Sequence, residues 1–432
     1  MSDKPIWLDE KGKINEVAFC RSFQSIMPMK YMSNHFYGLE GVVQENTLKQ
    51  KIFDTVALYV TTGIDRKVNA LVMALKLSCY CEPEEPNATQ INVLNGVVKV
   101  DGSFVPEKNI CINRINVNYN ANRQGALELP YFEKYINELL YPEDIPTLQE
   151  YAGYSLIPST KAQKALVLLG SGGEGKTTLG NIIQGIWGNA RYEGKIQRID
   201  SDKFFRSNLV DKLLLVDDDI QMKALSSTGY LKTLITASSP IDVEAKNKQS
   251  ELITLYTRLI GFGNGSLKAL HDHSEGFSRR FIIIRVKPKP KDRIDDPHLT
   301  EKILFEKDEI FRWMLQGLQR LIANDFKFTI SERTRQTIET AIADNCNIIE
   351  FLKDQERVEF NDGYSESTAE LYKEYTDWCE KNGLTSIQRD DTVSWLKTNA
   401  QRYGLIFSNH IRNSQGHEVR GFKGIRCISR KI

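Results

Sequence analysis

The run KALVLLGSGGEGKTTLGNIIQGIW, Lys164 to Trp187, constrains the fold more than any other stretch. Ala165 to Leu169 are uniformly apolar, as in a strand buried on both faces, and Leu179, Ile182, Ile183 and Ile186 then recur at helical spacing. Between them Gly170 to Thr177 fits G-x-x-x-x-G-K-[ST], with the strand before and the helix after that the motif requires. Glycines at 170, 172, 173 and 175 let backbone amides turn inward around a phosphate without Cβ interference. The helix start adds partial positive charge. Gly170, Ser171, Gly172, Gly173, Glu174, Gly175, Lys176, Thr177 and Thr178 are therefore the candidate ATP-binding residues. Lys176 is spaced to reach the β/γ-phosphates and the Thr177 hydroxyl to coordinate Mg²⁺. An ordinary glycine turn is the competing reading, and the flanking elements weigh against it.

Beyond Pro158 apolar strand runs alternate with amphipathic helices up to about Val286, the pattern of an α/β domain with a largely parallel sheet. One of these runs, LLLVDDDI, ends in acids. A strand beside the phosphate loop would deliver one carboxylate to Mg²⁺ and a second to the attacking water, roles that fall to Asp217 and Asp218. Asp219 leaves the register open, and a solvated acidic turn is the alternative. RLIGFGNGS then sets Asn264 at the end of another strand, either as a polar sensor of the γ-phosphate or as an ordinary Asn-Gly turn. Arg279 and Arg280 precede the strand FIIIRV. Arginines at a strand entrance are usually solvated, but in ring ATPases a finger from this place, here Arg280 with Arg279 as alternate, reaches a neighbour's γ-phosphate.

Upstream, residues 1–90 mix helical periodicity with charge, and no chemistry attaches to them. INVLNGVVKVDGSF reads as short strands around Asn95-Gly96 and Asp101-Gly102, with ICINRINVNY continuing the β pattern. From Leu129 the periodicity turns helical. Lys and Arg number 57 against 56 Asp and Glu, so no global field advertises nucleic acid, and such binding must come from local clusters. Seven scattered cysteines with no paired C-x-x-C point to reduced thiols rather than disulfides or zinc. No apolar run is long enough to span a bilayer and Met1 to Trp7 has no signal-peptide core, so the expectation is a cytoplasmic protein with no membrane partner.

At the far end Ser367 to Glu370 reads as a capping box opening a helix stopped at Gly383, and a second helix covers about Asp390 to Tyr403. Leu405–Arg412 and Glu418–Ile428 read as strands, completing a helix-turn-helix with a β wing. Lys397, Arg402, Arg412, Arg420, Lys423, Arg426, Arg430 and Lys431 face only Glu418 in sequence, the one basic patch of a neutral chain. The expectation is duplex DNA contact, with Arg402, Arg412 and Arg420 as carriers, although winged helices also bind proteins.

The succession of phosphate loop, acidic strand, lysine-bearing insert, Asn sensor and Arg pair resembles the superfamily-three AAA+ helicases of phages, plasmids, viruses and mobile genetic islands. INVLNGVVKVDG and LPYFEKYINELLYPEDIPTLQEYAGYSLIP look like the helical domain preceding the motor in phage, plasmid and poxvirus primase-helicases. The resemblance spans roughly residues 90 to 290 and implies a homo-hexameric ring that hydrolyses ATP at subunit boundaries while moving on single-stranded DNA. In related rings the insert is a hairpin in the central channel, which would set Lys246 and Lys248 on the phosphate backbone; a solvated turn is the alternative. Many relatives carry Glu where this chain has Asp218. Primase-helicases also carry a long polymerising domain, whereas only residues 1–90 precede the resemblance, so a separate primase or polymerase is expected. The chain is similar in this to the replication-initiator (Rep) helicases of staphylococcal pathogenicity islands and cassettes.

The expected fold class is α/β: an AAA+ P-loop core with a parallel sheet, preceded by a mainly helical N-terminal domain and followed by a winged-helix domain. The expected boundaries are 1–90 (helical region), 91–157 (β element and helical collar), 158–290 (motor core), 291–357 (helical lid or linker) and 358–432 (winged helix). Two other readings compete with a helicase acting at an origin. One is an AAA+ ATPase remodelling protein or nucleoprotein, and the other an origin-binding protein switched by nucleotide.

Overall fold

The N-terminal region builds a small core of its own. Helix α1 (Glu16–Ile26) begins where the Asn15 side chain accepts the Ala18 amide at 3.1 Å, and α2 (Glu45–Val56) and α3 (Ile64–Ser78) join it around Phe19, Leu48, Ile52 and Leu75. An antiparallel meander, β1 (Met29–Met32), β2 (His35–Gly38) and β3 (Gly41–Val43), lies between α1 and α2 in sequence. Helical periodicity hides it because each strand has only three or four residues, with Ser33 and Asn34 turning at positive φ. The computed structural model describes residues 4–82, 85–123, 125–220, 229–237, 239–244, 249–264, 279–345, 347–384, 386–412 and 416–428. They divide into two compact units, one ending at Thr337 and one starting at Ile338.

A second meander, β4 (Gln90–Val93), β5 (Gly96–Lys99) and β6 (Phe104–Val105), turns near the two expected Xaa-Gly pairs. The segment ICINRINVNY does not extend it; its described strand pairing is a single bridge, Val93 to Ile115. Backbone bonds from Ile115 N to Asn92 O and from Leu94 N to Val117 O, each 2.8 Å, flank that bridge. Buried Arg114 ties the segment down, its guanidinium donating to the carbonyls of Leu39 and Val93, and to Asn109 O at 2.9 Å.

Helices α4 (Pro130–Leu139) and α5 (Ile145–Tyr154) lead into the sheet. Its strands are β7 (Ala165–Gly170), β8 (Arg191–Glu193), β9 (Leu214–Asp217), then, after an antiparallel pair β10 (Ile241–Val243) and β11 (Glu251–Ile253), β12 (Arg258–Asn264) and β13 (Phe281–Arg285). The order is β13-β7-β12-β9-β8, parallel throughout. Between the acidic strand β9 and the phosphate-loop strand β7 lies β12. Of the five, β12 is the longest and is buried along all but its last residue, which suits it to the centre, while three-residue β8 takes an edge. Helix α6 (Lys176–Trp187) turns Leu179, Ile182, Ile183 and Ile186 into the core.

Helix Lys307–Ala323 packs on α5, and helix Leu299–Leu304 on α4 and α6. Glu150 on α5 is buried and anchored by Arg320 at 2.6 Å and by the amide and hydroxyl of Thr329, each at 2.7 Å. Segments preceding and following the sheet in sequence thus form one helical layer. The second unit runs helix Asn347–Lys353, β14 (Val358–Ser367), helices Thr368–Lys381 and Arg389–Asn399, β15 (Ile406–Arg412) and β16 (Glu418–Cys427), with sheet order β14-β16-β15. Ser367 accepts the Glu370 amide at 3.0 Å, but its own amide goes to Glu366, so half of the expected capping box is formed. The six described cysteines are free thiols, and no described helix is long and apolar enough to cross a membrane.

The helical layer closes through Gly153, where a Cβ would meet the Met314 carbonyl and lie 2.6 Å from Leu318 N. Both are backbone atoms and cannot rotate away. Gly153→Ala should destabilise the first unit by roughly 1–3 kcal/mol, read as a lower urea midpoint; an unchanged midpoint would refute the close approach.

Candidate nucleotide site

The parallel register brings the chemistry to one end of the sheet. Asn264, at the end of β12, pairs with Gly170 at the end of β7, and Gly261 lies opposite Asp217 on β9. A cavity of about 840 Å³ opens there, lined by Gly172 to Thr178, Asp218, Gly263 and Asn264. Its other wall comes from α4, through Tyr131, Lys134, Tyr135 and Glu138, and from the stretch Asp292 to Asp296 with Leu299 and Lys302.

The phosphate loop is held from both sides. Tyr135 OH donates to Gly175 O at 2.9 Å, and burial pushes its phenol up. Arg293 donates from Nη1 to Glu174 O at 2.8 Å and from Nη2 to Gly173 O at 2.9 Å. Inside the loop the Glu174 carboxylate accepts the amides of Ser171 and Gly172, the latter at 2.8 Å, and Lys176 Nζ at 2.6 Å. Burial alone would raise this carboxyl, but the ammonium and the amides outweigh it and hold it at about 2. Gly170 is required for this arrangement, since a Cβ there would lie 2.5 Å from Lys176 Nζ and 2.7 Å from Glu174 Cδ.

The three acids differ. Asp217 is fully buried and receives the Ile196 amide at 2.8 Å, the Asp219 amide at 3.2 Å and Lys195 at 3.3 Å; burial raises its carboxyl. Asp218, whose side chain is 64% exposed, lines the cavity and pairs with Lys195 at 2.8 Å, which lowers its carboxyl. Asp219 is exposed, and its carbonyl accepts Lys195 at 3.2 Å. Burial would lower the Lys195 ammonium, but Asp218 and Asp217 override it and raise it.

Arg279 and Arg280 do not join this cavity. They precede Phe281, which pairs with Ala165 at the opposite end of β7 from the loop, ~16 Å away along the strand. Lys246 and Lys248 lie outside the described residues; their flanking strands β10 and β11 pair as expected. In the second unit Arg402, Arg412 and Arg420 are exposed, but the basic patch is partly neutralised. Arg426 pairs with Glu359 of β14 at 2.6 Å, while the Glu418 carboxylate, on the residue opposite Arg412, meets His410 Nδ1 at 2.9 Å.

Sequence reasoning missed Lys195, Arg293 and the α4 face. Tyr131, Lys134 and Glu138 do stand at helical spacing, a legible polar face, but nothing in the sequence directs it to the loop. Arg293 follows the Pro-Lys run 288–291, just past the expected end of the motor core at 290.

Solved structures of a similar fold cover nearly the full length of the chain. An apo structure of the NrS-1 C-terminal region (305–718) aligns with a TM-score of 0.54 at 13% identity, over 98% of this chain and 100% of that one. The A-form apo structure of that region gives 0.52 at 14% identity over 94% and 97%. The fold is that of the NrS-1 C-terminal region. A family described as of unknown function, DUF5906, matches residues 168–280, and no curated protein matches.

Arg293→Ala should loosen the loop: amide exchange at residues 171–176 should rise on the order of tenfold, ~1.4 kcal/mol for the charged hydrogen bonds lost. Unchanged exchange would show that the loop is ordered without the clasp.

Proposed function

We propose that the chain is an ATP-driven DNA helicase of the replication-initiator type, acting as a homo-hexamer on single-stranded DNA. The observation that carries this reading is the convergence of the phosphate loop, Asp218 and Asn264 on one cavity at the end of a parallel sheet. The donor set fits the charges of Mg-ATP. The loop already gathers amides and an ammonium around an anionic side chain, and the acids already gather around a cation, Lys195. In this reading the Lys176 ammonium holds the β/γ-phosphates. Thr177 and Asp217, the latter set at the strand end by the Ile196 amide, would hold Mg²⁺, and Asp218, which lines the cavity, would act on the attacking water. Bound Mg²⁺ neutralises charge developing on the phosphates. Asn264 orients the attacking water against the γ-phosphate.

Arg280 lies too far from its own chain's loop to touch the same nucleotide, which favours service to a neighbouring subunit in a ring. Lys246 and Lys248 grip the single strand without reading sequence. The second unit supports duplex binding through two consecutive helices followed by the β15–β16 hairpin, the layout of a helix-turn-helix with a wing. Arg402, Arg412 and Arg420 carry that contact at an origin, and priming falls to a separate enzyme.

Lys176→Ala should abolish ATP hydrolysis while the chain still folds, with a lowered melting temperature because Glu174 loses its buried partner. Asp218→Asn should still bind nucleotide but turn over about 100-fold more slowly or worse. Wild-type hydrolysis in Lys176→Ala would sink the reading. For the second unit, Arg412→Ala with Arg420→Ala should weaken duplex binding and flatten the log–log salt slope by about 2. An unaltered slope would assign the unit to another partner.

A further inference from the structure

The fifth position of the phosphate-loop motif is open to any residue, and here it carries a carboxylate that turns back into the loop. Glu174 Oε1 takes the amides of Ser171 and Gly172, Oε2 takes Lys176 Nζ at 2.6 Å, and the Glu174 side chain is only 2% exposed. Those are the donors through which such a loop holds phosphate oxygens. Two anions cannot share them, because like charges at contact distance disfavour one another steeply.

The backbone around Glu174 is fixed independently of its side chain. Arg293 holds the carbonyls of Gly173 and Glu174. Gly170, lacking a Cβ, leaves the space in which the carboxylate lies beside Lys176. Exchanging carboxylate for phosphate therefore needs rotation of one side chain and no rebuilding of the loop.

We propose that Glu174 is an internal competitor for the phosphate cradle, one that sets the apparent affinity for polyphosphate ligands. The proposal rests on the phosphate-loop reading above. Nucleotide binds the fraction of molecules in which the carboxylate has withdrawn, so the measured dissociation constant is the intrinsic one divided by that fraction. Return of the carboxylate lets the cradle empty without leaving Lys176 unpaired in a buried site.

The test is equilibrium titration of the full chain with inorganic triphosphate and with Mg-ATP. Wild type is compared with Glu174→Gln, Glu174→Asp and Lys176→Ala. Glu174→Gln should bind both ligands on the order of tenfold tighter. Glu174→Asp keeps the charge but is one methylene too short to span the amides and the ammonium together, so it should also bind more tightly than wild type. Equal or weaker binding by Glu174→Gln overturns the competitor. Tightening in Glu174→Gln with wild-type affinity in Glu174→Asp also overturns it, since the effect would then be one of net charge. Should Glu174→Gln fail to fold, Glu174→Asp decides alone. The underlying reading fails separately, if no protein binds triphosphate or if binding ignores Lys176→Ala. Binding that depends on Lys176 but is not tightened by either Glu174 variant removes only the competitor.

Discussion

Backbone pairing of β12 with β7 on one side and β9 on the other is the constraint on which the site depends. Parallel ladders fix register residue by residue, so the alignment of Asn264 with Gly170 and of Gly261 with Asp217 follows from strand chemistry alone. Once register is set, three strands end at one edge and their loops must share one cavity. The side chains that do chemistry come from those loops, while the strands beneath them supply uninterrupted apolar burial.

Charge is balanced locally within that edge. Lys195 bridges Asp217 and Asp218, and Lys176 neutralises Glu174, so each strongly buried ion has a partner in contact. Lys195 lowers both neighbouring acids, and burial sets them apart. Asp217 loses its water and its carboxyl rises, while Asp218 keeps its water, gains an ammonium and falls.

How much of this was legible in the sequence depended on the range of the interaction. Strand β7, the loop and helix α6 could be read because motif, periodicity and turn chemistry all lie within one short stretch. The acidic strand and the Asn264 strand were recognisable as elements, but their order across the sheet was not, since pairing in a parallel sheet is decided by long connections rather than local residues. The short β1–β3 strands gave no period to detect, and the strand expected at ICINRINVNY shrinks to a single bridge at Ile115. Arg293 and Lys195 were invisible because each acts on groups that the fold alone brings within reach.

The helical layer has a consequence for inheritance. Chain that enters the sheet through α5 leaves it toward helix Lys307–Ala323, and the two helices then touch backbone to backbone at Gly153 and share the burial of Glu150. The sheet is nested between two halves of a single packing unit, as an insertion and not as a bead on a string. Recombination at the sheet's own ends would orphan Glu150 in a half-layer stripped of Arg320, so sheet and layer can be traded between proteins only as one block.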